Sequence, residues 1–241
     1  MAIVDAHDLR QQIRSAAGRR DTDSLLDLLE DTWPRDALQI IGDGLAEALA
    51  SGAPAAERSA HRCSSELRER GWEGDDVLAN ALEAKLGEGA VSSLRPVPVR
   101  LEDVATALEG SEFTSGGRID LGTGEFWPAL DPDYADLDEE DDEGEDSERE
   151  WLWVGGLGSH DGYRDMEIFI ARLDDAMIAD LLGVAIQGRG AFRRFKDTLD
   201  RWPEQLEAWY AFSEERQLGR ARAWLAHQGY TPVRPLPEGG M

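Results

Sequence analysis

The run Gly188-Arg189-Gly190-Ala191-Phe192-Arg193-Arg194-Phe195-Lys196 places four cations and two glycines within nine residues of a chain whose formal charge is −25. On a helix, at about 100° per residue, Phe192, Phe195 and Leu199 form one apolar stripe. Arg189, Arg193 and Lys196 cluster on the adjoining face, and Arg194 points away from them. Two kinds of chemistry fit this pattern. Gly188 and Gly190 can let backbone N–H groups and the positive end of the helix dipole meet an anion, with Arg189, Arg193 and Lys196 supplying charge around it. A phosphate, a nucleic-acid backbone or an acidic peptide would suit such a site. Alternatively, the arginines pair with the chain's own carboxylates, such as Asp197 or Asp200, and the glycines only break one helix before the next.

Other strings invite chemistry and support it less. Ser159-His160-Asp161 has the residue types of a nucleophile, a base and an orienting acid, but three adjacent side chains do not converge as a triad must. Gly155-Gly156-Leu157-Gly158 sits between a strand and a helix, yet lacks the later glycine of a dinucleotide loop and the Gly-Lys-Ser/Thr ending of a triphosphate loop. Glu139, Asp141, Glu143, Gly144 and Glu150 fall at calcium-loop positions, a cheap match where most residues are acidic. His7, His61, His160 and His227 show no paired metal spacing, and His61 and Cys63 diverge on a helix. Trp151 and Trp153 share a strand face. Base stacking there would require that face to be exposed, and core packing is the expectation for these rings and for Trp127, Trp202, Trp209 and Trp224. No catalytic, metal or cofactor residue emerges.

Fifty acidic residues against twenty-five basic ones give a mean field that repels nucleic acid and anionic membranes, so any such binding must be local. Cys63 is the single cysteine, which rules out an intrachain disulfide and fits a buried structural thiol in a reducing compartment. No stretch approaches the roughly 20 apolar residues of a membrane span. A cytoplasmic protein is expected.

The elements that would position these residues fall into two groups. Residues 5 to 87 are helical in pattern, with breaks at Gly18, Pro34, Gly52 to Pro54 and Gly71 to Asp75, giving four or five short antiparallel helices. Further on come a helix near Leu101 to Leu108 and a hairpin flanking Gly122-Thr123-Gly124. A strand at Trp151 to Val154 follows, then helices with Met166, Phe169, Ile170 and Leu173 on one stripe and Met177, Leu181, Leu182 and Ile186 on the next. The last helices are expected at about 191 to 201, 203 to 212 and 214 to 227. Between the second and third strands, residues 131 to 150 hold thirteen acidic residues and one arginine, a net −12 that predicts a disordered loop. The fold class is α+β, with an all-helical module over 1–90, a linker at 91–98, and an α+β domain over 99–235 in which a small antiparallel sheet precedes a helical array.

The Gly188 to Lys196 run, with Trp209-Tyr210 and Trp224-Leu225 downstream, resembles the signature of the uncharacterised bacterial protein family 0158. Leu101-Glu102-Asp103, Thr123-Gly124-Glu125 and Met166 to Phe169 support the resemblance, which covers about 98 to 230. It implies no activity, and it does not extend to residues 1 to 95. The expected function is therefore binding without catalysis, to another protein or an acidic ligand, with Gly188, Arg189, Gly190, Arg193, Arg194 and Lys196 as the contact set. The alternative is an RNA-associated or phosphate-handling protein, possibly an enzyme, that uses the same helix start.

Overall fold

The computed structural model describes residues 6–90, 92–109, 116–128, 149–156 and 158–235. They form an α+β protein that divides into two compact units, 1–93 with 199–223 and 94–198 with 224–241.

The first unit opens with five helices: α1 (Ala6–Arg19), α2 (Thr22–Asp31), α3 (Leu38–Ala50), α4 (Ala56–Arg70) and α5 (Asp75–Lys85). Their ends follow local chemistry. The Asp21 carboxylate accepts from the Ser24 backbone N–H at 3.1 Å and starts α2. Gly71, at φ +61°, ends α4 in the left-handed conformation that side chains disfavour. α3 forms the centre, with Leu38, Ile41, Leu45 and Ala48 buried among Ile13, Leu25, Leu67, Leu78 and Leu82.

Residues 203–223 of α10 (Pro203–His227) complete this unit. Backbone meets backbone here: a Cβ on Gly219 would lie 2.2 Å from the Glu73 carbonyl oxygen, so only glycine fits. Around the contact runs a buried polar network. Glu215 accepts from the Gln39 backbone N–H at 3.0 Å and from Arg70 at 2.7 Å. Arg70 holds Asp75 bidentately at 2.7 and 2.8 Å. The Gln39 side chain donates to Asp75 at 2.8 Å and accepts from Arg222, whose other end donates to Asp43 at 2.7 Å.

The second unit contains β1 (Arg95–Val97), α6 (Leu101–Glu109), β2 (Gly116–Asp120), β3 (Phe126–Pro128), β4 (Trp151–Gly155), α7 (His160–Ala171), α8 (Ala176–Ala185), α9 (Ala191–Leu199) and β5 (Tyr230–Pro232). β1 and β5 pair in parallel, Arg95 opposite Tyr230. β2 is the centre of an antiparallel sheet ordered β3-β2-β4, with Arg118 opposite both Trp127 and Trp153. The hairpin turn at Gly122 to Gly124 is built by Asp120, whose carboxylate accepts from the Gly122 and Thr123 N–H groups at 2.7 and 3.1 Å. Period-2 alternation buries Ile119 and Val154 on one face, and α6 packs against all three strands.

Three differences from the sequence expectation have physical causes. The stretch read as linker contains a strand at 95–97, because its pairing partner lies far along the chain at 230–232, beyond any local signal. The helices expected at 203–212 and 214–227 are one continuous α10. Ser213 does not interrupt it, since no Gly or Pro accompanies it and its hydroxyl accepts from Gln217 one turn on at 3.1 Å. Segment 199–223 belongs with the amino-terminal helices, drawn there by the Glu215 and Arg222 network, so the compact units are discontinuous in sequence. Apart from Arg149 and Glu150, the acidic run at 131–150, with its calcium-like spacing, lies outside the described residues.

Candidate functional site

The basic segment is built by two consecutive helices. Asp175 starts α8 by accepting from the Met177 and Ile178 N–H groups at 2.9 and 3.2 Å. α8 then turns Ile178, Leu182 and Ala185 inward. Its last turn is closed from α9: the Arg194 guanidinium donates to the carbonyl oxygens of Ala185 at 3.0 Å and Gln187 at 2.6 Å, and also to that of Arg189. A cation therefore sits on the negative end of α8 and satisfies carbonyls that the helix leaves open. Gly188 and Gly190, both at φ +77°, supply the left-handed backbone that wraps this turn around the guanidinium.

The sequence-defined set is thus divided by role. Arg194 is committed to its own backbone neighbours. Arg189, Arg193 and Lys196 lie on the exposed surface, with Arg193 at 3.7 Å from Asp197 across one turn, an exposed pair of little energetic weight. Of the apolar stripe, Phe195 and Leu199 are fully buried, and Phe195 meets Phe169 edge to face at 6.3 Å. Phe192 stays 39% exposed, with one edge against Gly162 of α7.

The expected α8 stripe also divides. Leu182 and Ile186 are buried, but Met177 and Leu181 are 59% and 41% exposed and are joined by Val184 at 68%. These three recur at i, i+4 and i+7, so they line one side of α8. The signal was present in the sequence as a helix apolar around more than half its circumference, which one buried face does not explain.

A second group sits on the outer face of the β3-β2-β4 sheet. Trp153 is not core: it is 69% exposed, because its strand faces inward only through alternate residues. The Arg118 guanidinium lies 4.1 Å from the Trp151 ring centre, 5.3 Å from that of Trp127 and 6.0 Å from that of Trp153. Arg149 approaches Trp127 and Trp151 at 5.7 and 5.9 Å and lies 3.8 Å from Asp120. Trp127 and Trp151 meet edge to face at 5.7 Å, and neither indole N–H has a hydrogen-bond partner among the described residues. Sequence reasoning placed the tryptophans in strands but missed Arg118 and Arg149 as their partners.

The remaining strings take structural places. Ser159 precedes α7 and His160 and Asp161 enter its first turn, fanned around the axis. Gly155 and Gly158 face open space. Cys63 is fully buried, its thiol pushed up by burial and by Glu215, which makes it unreactive. Burial also raises Glu215 to about 6, against the lowering effect of Arg70. Among the described residues no group of three or more His, Cys, Asp or Glu converges as a metal site, and no helix is long and apolar enough to cross a membrane.

Comparison with known proteins gives the family of this region and no function for it. The uncharacterised protein family UPF0158 matches residues 95–235. The chain belongs to that family. A UPF0158 protein of Pseudomonas aeruginosa is 26% identical over 144 residues, which cover 58% of this chain and 89% of that protein. No solved structure matches the chain. The UPF0158 region thus includes the whole of α8 and α9 and the sheet face, whereas α1 to α5 lie before it.

Proposed function

We propose that the protein acts by binding another protein, and that α8 and α9 carry the contact surface. The observation behind this reading is the exposed line Met177, Leu181 and Val184 on α8, followed in the chain by Arg189, Arg193 and Lys196. Three large apolar side chains open to water on one side of a short helix are unfavourable unless something covers them. The nearby cations select the complement: an acidic amphipathic helix, which would lay its apolar side on α8 and its carboxylates toward α9. Arg194 is not part of this contact. The reading involves no chemical step.

The test places a photo-crosslinking residue at Val184 of the tagged full chain and identifies the protein captured. With that residue in place, Met177→Glu and the triple change Arg189→Gln, Arg193→Gln, Lys196→Gln should each abolish its capture without shifting the melting temperature. Capture that survives both variants would end the proposal.

A further inference from the structure

We infer that the outer face of the β3-β2-β4 sheet is a second binding site, for a ligand that carries one nucleobase and one or two phosphates. The observations are independent of α8 and α9. Trp153 presents an indole that is 69% exposed beside the Arg118 guanidinium, with Arg149 beside the neighbouring indoles. An open indole with one guanidinium 6.0 Å from its ring centre offers the two contacts a nucleotide needs: a π-face for the base and positive charge for the phosphate.

The geometry limits the size of the ligand. Trp127 and Trp151 hold each other edge to face at 5.7 Å, and Arg118 lies over the Trp151 ring at 4.1 Å, so those indoles already have partners. That leaves Trp153 as the open ring of the three, a platform for one planar base. The row of aromatic ridges that seats a proline-rich peptide is absent from these three residues. Charge limits length in the same sense. Residues 131–150, which join β3 to β4, carry a net −12. Each phosphate of a long strand adds repulsion from the chain's net negative charge, whereas the two arginines can offset the charge of one or two phosphates. The shared chemistry belongs to a free nucleotide and to the terminus of a single strand.

The experiment is calorimetric titration of the full chain with AMP, UMP, ribose 5-phosphate and an eight-nucleotide single strand. AMP and UMP should bind saturably and ribose 5-phosphate should not, because it lacks the base. Trp153→Ala should weaken AMP binding about tenfold, the size of a single base-to-indole stack, with an unchanged melting temperature. A strand that binds equally to or more weakly than AMP is the expected result and assigns the site to a free nucleotide, and one that binds more tightly overturns the limit on ligand length. Absence of saturable binding by nucleotides and strand alike overturns the inference. So does Trp153→Ala binding AMP as the parent chain does.

Discussion

Arg194 shows how one side chain can look like a ligand contact and serve another purpose. In the sequence it belongs to a cluster of four cations, but its guanidinium donates to the carbonyls at the end of α8. Arg194→Gln should therefore lower stability by about 1–2 kcal/mol, because open carbonyls lose a charged donor. Arg193→Gln, which among the described residues loses an exposed ion pair with Asp197, should change it by less than about 0.5 kcal/mol. Chemical denaturation of the two variants separates these outcomes. Glu215 makes a different prediction. Its folded pKa of about 6 exceeds the ordinary 4.5, so the folded state holds the proton more tightly. The stability from this group is full below about pH 4.5 and is lost as pH rises through about 6, a change on the order of 2 kcal/mol. Glu215→Gln should remove that slope from a pH series of melting curves. Glu83, lowered by Arg68 and Ser64, works in the opposite sense and below about 4.5, so the two windows are separable.

At the scale of elements, α10 is the piece whose course the sequence hid. Its close approach at Gly219 predicts that Gly219→Ala costs about 3 kcal/mol, since neither backbone can retreat from a Cβ at 2.2 Å. Thermal melts would show it, and a change below about 1 kcal/mol would mean that the backbones are not in contact. Other elements were legible. Gly71 marks the end of α4 by backbone freedom that acts within a residue or two, and the hairpin is written in Gly122-Thr123-Gly124. The parallel pair of β1 and β5 was not legible, because its strands are three residues each and its partners, such as Arg95 and Tyr230, stand far apart. Periodicity put Met177 and Leu181 on an apolar helix and so found the α8 surface without its exposure. It missed the sheet face because nothing local ties Arg118 to tryptophans on two other strands.

For the whole molecule, the discontinuous first unit makes a prediction about fragments. A chain ending at residue 198 contains α1 to α5 but lacks the buried partners Glu215 and Arg222. Gln39 and Asp43 then lose their partners on α10, and the apolar surface covered by Trp209 and Phe212 opens. That fragment should melt at a markedly lower temperature than the full chain and bind a hydrophobic dye. Rescue on adding a 199–223 peptide would support the account, and a melt equal to that of the full chain would refute it. The same arrangement matters on the ribosome. The five helices emerge long before the segment that completes their core, and at typical elongation rates they wait on the order of ten seconds with that surface uncovered. During synthesis, then, the amino-terminal half is a client for whatever shields apolar surface near the exit tunnel, and a stall between residues 94 and 199 would prolong its exposure.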